Sequence, residues 1–387
     1  MRHPLPPRTV GPVGESLPET RGRLSRCPCE MQDTRMQNLS ADGNGRSLDE
    51  LDRQIVGALL AHPRATHAQI GEAVFTSEAT VSRRVPRLLR SGAVRIIGVM
   101  DGEATRRARS LFVRLRCRPD AAGRSAEHLA RWQECGSVKL LTGSVDCVAE
   151  VSYTSNEHLL QLMFEQLPGL DGVLAIWSNQ VIRRFCTPHN WSPSLLPADV
   201  VDELRAQRTD HWNEQTPVET PSRLSRLDEL IIASLATDGR QGWQQLAERC
   251  GASPATVRRR AEAMMAAGFL RMRTVVEPSL VGLAVNAFVT LSVNPTQLGQ
   301  AGELLAAHPA VLMISATTGD RNLCGEIALE SDAALYEFLS GTIGQLPGLQ
   351  HADVAVALRS VKRAGMILPP APPAGETNRR GVAAPPR

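Results

Sequence analysis

The residues best placed to do chemistry form a short pattern that occurs twice. It reads Ser77-x-x-Thr80-Val81-x-Arg83-Arg84-Val85-x-x-Leu88 in the first half, and Ser253-x-x-Thr256-Val257-Arg258-Arg259-Arg260 in the second. A serine ahead of a helical run is an N-cap, since its hydroxyl can accept from a backbone N–H left open in the first turn. Pro254 suits the first helical position, where the missing N–H costs nothing. Projected at helical spacing, Val81, Val85 and Leu88 form an apolar seam, while Arg83, Arg87 and Arg90 fall opposite, with Thr80 nearby. Guanidinium groups on one helix face can fork onto guanine edges or phosphate oxygens. The expected chemistry is recognition of double-stranded DNA. Ser77, Thr80, Arg83, Arg84, Arg87 and Arg90 would act in the first half, with Ser253, Thr256, Arg258, Arg259 and Arg260 in the second. The plain alternative is a helix merely solvated by its arginines.

The two faces are not equivalent. Ala263 and Ala266 stand where the first half has Arg87 and Arg90, and Glu262 replaces Pro86. Glu262 would sit unfavourably against phosphate. Pro86 falls inside its helix and is expected to kink it. Two unequal readers and an asymmetric DNA site follow.

The surrounding elements give these helices a frame. Apolar spacing predicts helices at 48–62, 66–74 and 78–91, the last stopping at Gly92, then a strand at 93–100 read as a wing. Three short helices with a tight turn before the third make a helix-turn-helix. Residues 52–95 align without a gap on 228–271, with Asp52/Asp228, Arg64/Arg240, Thr80/Thr256 and Gly92/Gly268 among the identities. The same duplication carries Thr142-Gly143 onto Thr318-Gly319, and Gln166-Leu-Pro-Gly-Leu170 onto Gln345-Leu-Pro-Gly-Leu349.

After each helix-turn-helix, period-2 runs at 110–117, 137–141, 147–153 and 172–177 alternate with helices at 121–134 and 156–167. The second copy repeats the scheme, with a strand at 286–293 and a helix at 296–308. The order βαββαβ is ferredoxin-like. An open sheet face needs cover, which the sheet of the other copy can supply.

The fold class is therefore α+β, with two winged helix-turn-helix domains alternating with two ferredoxin-like domains. The expected boundaries are 48–101 and 108–185, then 224–277 and 284–363. Pro-rich residues 186–223, with a short helix at 198–207, would link the modules side by side. Residues 1–47 and 369–387 read as disordered.

Composition narrows the field without naming a partner. The formal net charge is only +3, and aromatics at 4% are too sparse for a single-strand stacking platform. No apolar run reaches the roughly 18 residues that span a bilayer, and no signal peptide is recognisable, so a cytoplasmic location without membrane contact is expected. The eight cysteines include no C-x₂-C pair, so a structural metal is not expected and no cofactor is implied. Cys27-Pro-Cys29 could be redox-active but lies in the Pro- and Arg-rich start. His189, His211, His308 and His351 read as surface or turn residues.

The chain resembles the Lrp/AsnC (feast/famine) transcriptional regulators over 48–185 and 224–363. Carrying the resemblance are Leu51-Asp52 and Leu227-Asp228, the Ser77-to-Leu88 signature, Leu-Pro-Gly at 167–169 and 346–348, and Thr-Gly-x-x-Asp at 142–146. It implies a winged helix-turn-helix followed by a ligand-sensing RAM domain, dimers that assemble further into homo-oligomers, and amino acids or related small molecules as effectors. The implied effector loops are Thr142, Gly143, Ser144, Val145 and Asp146, and Thr318, Gly319 and Asn322; Asn322 stands in place of Asp146. A chain holding both copies would be a covalent pseudo-dimer. The rival readings are an enzyme resembling sirohaem decarboxylases, with His128, His158, Arg183 and Arg184 as candidates, and a metabolite sensor that no longer binds DNA.

Overall fold

A computed structural model describes residues 48–100, 108–208 and 224–368. The Cys27-Pro-Cys29 segment, His211 and both terminal stretches lie outside these residues. In the first module α1 (Glu50–Ala61), α2 (His67–Ala73) and α3 (Glu78–Arg90) are followed by β1 (Val94–Met100). The equivalents are α7 (Arg226–Thr237), α8 (Trp243–Cys250), α9 (Pro254–Ala266) and β6 (Leu270–Val276). Ser77 and Ser253 are the caps of α3 and α9, accepting from the N–H groups of Thr80 and Thr256. Val81, Val85 and Leu88 are buried, as the apolar seam requires. α3 remains one helical element through Pro86.

The strands read as wings are not free hairpins. β1 pairs antiparallel with β6, from Val94 opposite Val276 to Met100 opposite Leu270. A lone strand exposes unpaired N–H and C=O groups, and the other copy offers a complementary edge. The two helix-turn-helix units are thereby held together by a ribbon made from one chain.

The ferredoxin-like halves follow the expected order. The first has β2 (Arg109–Cys117), α4 (Ala122–Arg131), β3 (Cys135–Leu141), β4 (Cys147–Tyr153), α5 (Asn156–Leu160) and β5 (Val173–Cys186). α5 continues as a π-helical segment to Gln166. The second has β7 (Val285–Val293), α10 (Leu298–Ala306), β8 (Val311–Thr317), β9 (Leu323–Leu329), α11 (Asp332–Glu337) and β10 (Leu349–Arg363), with β11 (Met366–Ile367) against β10.

β5 runs far beyond the alternation at 172–177, and β10 is equally long, because each serves two sheets. β5 pairs with β2 as far as Gln180, then with β8 from Val181 to Cys186. β10 pairs with β7 from Leu349 to Val356, then with β3 from Ala357 to Lys362. The sheet runs β10–β3–β4–β2–β5–β8–β9–β7 and returns to β10, a closed ring without free edges among these strands. The two copies thus join by exchanged edges as well as by their faces. Phe112 and Phe288 meet edge-to-face in the interior, with ring centroids 5.5 Å apart.

The segment after β5 is not a slack tether over its described part. Trp191, and Val201 and Leu204 of α6 (Ala198–Ala206), enter the apolar core of the first helix-turn-helix. Cys117, Cys135, Cys147, Cys186, Cys250 and Cys324 are buried free thiols, and burial pushes the Cys135 thiol up to about 12.

Candidate nucleic-acid interface and effector loops

The arginines of the two reader helices divide into two groups. Arg83 and Arg90 are exposed on α3, as is Arg259 on α9, and no hydrogen bond to a described residue engages them. Arg84 turns inward instead, donating to Asp49 Oδ1 at 2.7 Å and to Asp52 Oδ1 at 2.9 Å. Arg87 pairs with the other oxygen of Asp52. In the second module Arg260 donates to Asp228 Oδ1 and Oδ2, each at 2.7 Å, and to Ser225 Oγ at 2.9 Å. Arg258 pairs along the helix with Glu262 at 2.8 Å.

Arg84, Arg87 and Arg260 are clamps between α1 and α3, and between α7 and α9. Asp52 and Asp228 are only 3% and 6% exposed, and a carboxylate buried that far is costly without a cationic partner. The Arg260 guanidinium beside Asp228 holds its carboxyl at about 2, against its burial, with help from Ser225. The Arg84 guanidinium likewise holds Asp49 below the usual carboxylate range. Arg84, Arg87 and Arg260, expected among the DNA-facing residues, are engaged by these buried carboxylates. The signal was present, since Asp52 and Asp228 recur with the arginines. Ser77, Thr80, Ser253 and Thr256 are exposed or half-buried at the helix N-termini, and in each pair the two hydroxyls lie 2.9 Å apart.

The two candidate effector loops lie where the long strands cross between modules. Thr142 N donates to Val356 O, Ser144 Oγ to Asp353 Oδ2, and Arg116 to Ser144 O. Asp146 accepts from Cys117 N at 2.8 Å. In the second loop Thr318 N donates to Gln180 O, and Asn179 Nδ2 donates to Thr318 O at 2.6 Å. Asn322 accepts from Val293 N at 2.9 Å, the same task that Asp146 performs, so the Asp-to-Asn difference keeps the turn. Gly143 and Gly319 adopt φ of +110° and +94°, which side-chain-bearing residues avoid.

The residues considered for the enzyme reading do not converge. His128 stacks edge-on against Trp132, His158 faces Glu134 at 3.5 Å, and Arg183 pairs with Glu303. Arg184 alone of the four lines the cleft between the β1–β6 ribbon and the barrel, where it meets Glu150 at 2.6 Å. His189 lies in a turn after β5, as expected, and lines that cleft with its Nδ1 buried. The charged groups around it come from both modules, which no local pattern reveals.

The AsnC-type helix-turn-helix domain matches residues 48–89 and 224–265, and the Lrp/AsnC ligand binding domain matches 110–190 and 286–367. The chain is a tandem member of the Lrp/AsnC family. Among relatives, an uncharacterized HTH-type transcriptional regulator of Pyrococcus furiosus is 28% identical over 143 residues, which are 37% of this chain and 96% of that protein. The Bkd operon transcriptional regulator of Pseudomonas aeruginosa is 29% identical over 145 residues, 36% of this chain and 94% of that protein. Each relative therefore corresponds to about one module of this Lrp/AsnC chain. A crystal structure of the siroheme decarboxylase NirDL aligns over 81% of this chain and 93% of its own, with a TM-score of 0.53 and 14% identity. At that identity the likeness is one of fold.

Proposed function

We propose that this Lrp/AsnC protein is a sequence-specific, DNA-binding transcriptional regulator in which one chain supplies a complete pair of readers. The observation that carries this reading is the β1–β6 ribbon, which fixes two capped helices with outward arginines in one unit. Thr80, Arg83 and Arg90 on α3, and Thr256, Arg258 and Arg259 on α9, would contact DNA. Ser77 and Ser253 would set the helix ends near phosphate. Arg84, Arg87 and Arg260 would hold the readers in place. The first reader carries more free positive charge, so the two half-sites would be unequal, one helical turn or a multiple apart.

The barrel would sense an amino acid or related metabolite through Thr142, Gly143, Ser144 and Asp146, and through Thr318, Gly319 and Asn322. Further assembly of chains would follow the family pattern. We read the protein as a non-catalytic, cytoplasmic regulator; His128, His158 and Arg183, three of the four residues considered for a decarboxylase, lie apart from one another. Fluorescence anisotropy of the full chain on DNA from upstream of its own gene, at several salt concentrations, tests the proposal. Selective binding over a scrambled duplex, falling steeply with salt, is expected. Equal binding to both duplexes would contradict it.

A further inference from the structure

Between the β1–β6 ribbon and the barrel lies a cavity of about 420 Å³, in the range of small-molecule sites. Its walls come from both parts. Leu60, Met100 and Arg273 belong to the reader pair, and Lys139, Glu150 and Glu326 to the barrel. Most charges on these walls are already matched. Lys139 pairs with Glu326, Arg184 with Glu150, and Arg363 with Glu277, while Glu134 faces His158.

Two groups stand outside this pairing. Arg273 makes no hydrogen bond or ion pair with a described residue, and its Nε is shielded from solvent. His189 Nδ1 is likewise buried without a hydrogen-bond partner. Burial, and then Arg273, Arg271, Arg208 and Arg184, keep His189 well below the usual imidazole range, so it stays neutral. Thr187 Oγ1, also on the wall, is a third buried polar atom without a hydrogen-bond partner. Arg273 is half-buried, and the carboxylates that act on it, Glu150 and Glu326, are already paired with Arg184 and Lys139, so its shielded Nε still lacks an acceptor that an anionic oxygen would supply.

We infer that this cavity binds one small anion bearing a carboxylate or phosphate group, held by Arg273 and His189, and that the anion ties the reader pair to the barrel. The site differs from the loops at 142–146 and 318–322, whose residues do not line the cavity. It is also one-sided. Arg273 lies directly opposite Ile97 in the ribbon, and Leu368 holds the position equivalent to His189. One ligand per chain follows. An apolar part of the ligand would rest on Leu60, Val99, Trp191 and Leu312. The link to DNA rests on the regulator reading, but the binding itself does not.

The test is calorimetric titration of the full chain with inorganic phosphate and, separately, with citrate, which distinguishes the two anion chemistries. Saturable binding of at least one probe at one site per chain is expected, at least tenfold weaker in Arg273→Met and in His189→Gln. Arg83→Ala, on the reader surface, should bind the probe as the parent does. Thermal melting supplies a second readout, because a purely structural Arg273 would lower the melting temperature when replaced. A ligand-binding Arg273 predicts an unchanged or higher melting temperature for Arg273→Met and loss of the anion-induced rise. No saturable binding of either probe, or binding indifferent to both substitutions, would overturn the inference. DNA anisotropy on the same preparations separates its failure from that of the regulator reading.

Discussion

Arg64 and Arg240 hold equivalent positions in the two modules, and each reaches across to the backbone of the other. Arg64 donates to Gly239 O at 2.5 Å, while Arg240 donates to Pro63 O and Ala65 O, each at 2.9 Å. Arg64 also lies over the Trp243 ring, 4.4 Å from its centroid. Burial, and then the charge of Arg64, draws the Arg240 guanidinium down to about 10. The cost is offset by three carbonyls that would otherwise lack these donors. The exchange, with the β1–β6 ribbon, makes the reader pair one body.

Removing either side of this exchange should therefore loosen the pair. Arg240→Ala is expected to cost about 1–3 kcal/mol, by orphaning two carbonyls, in a denaturant titration of the full chain. Arg64→Ala should cost less than Arg240→Ala, since its Nη2 contact to Gln241 O is long at 3.4 Å. Additive losses in the double variant would show that the two arginines act independently, against the reciprocal arrangement.

The two classes of arginine on α3 should separate in experiment. Arg83→Ala should weaken DNA binding and lower the salt slope by about 1 while leaving stability within about 0.5 kcal/mol. Arg84→Ala removes a partner of buried Asp52 and should cost about 2 kcal/mol of stability. A stability loss from Arg83→Ala equal to that from Arg84→Ala would contradict the division.

Asp228 gives the protein an acid-labile point. Its carboxyl is lowered from 3.8 to about 2 in the fold, chiefly by Arg260, so its contribution is complete above the unfolded value and is lost as pH falls through about 2. Thermal melting should weaken between about pH 5 and pH 2, with a contribution on the order of 2 kcal/mol from this residue. Asp228→Asn should flatten that part of the profile. An unchanged profile would remove Asp228 as the cause.

Phe75 stands in the turn before α3 with φ of +53°, and is 90% exposed. Gly251 fills the equivalent place with φ of +63°, where a glycine carries no Cβ penalty. Phe75→Gly should thus relieve about 1 kcal/mol of backbone strain, read as a higher denaturation midpoint. A lower midpoint would mean that the ring makes a stabilising contact.

Much of this architecture was legible in the chain because it is written locally and twice. Ser77 and Ser253 marked helix starts, Val81 and Val85 marked the buried face, and alternation marked the sheet strands. What could not be read was whatever depends on the other module. The wing proved to be a ribbon, since its pairing edge lies far along the chain. β5 overran its pattern because its second half pairs with β8 of the other module. Arg84 and Arg260 looked like Arg83 and Arg259 until Asp52 and Asp228 were placed beneath them. His189 and Arg273, distant in sequence, gave no shared signal at all.

The central claim is that one chain reads DNA with two unequal helices fixed in a single unit. Hydroxyl-radical footprinting of its DNA site, with the parent chain, Arg83→Ala and Arg259→Ala, tests it most directly. The account predicts two protected half-sites separated by one helical turn or a multiple, one weakened by each substitution, with the larger loss of affinity from Arg83→Ala. A single protected half-site, or an equal loss over both half-sites from either substitution, would contradict it.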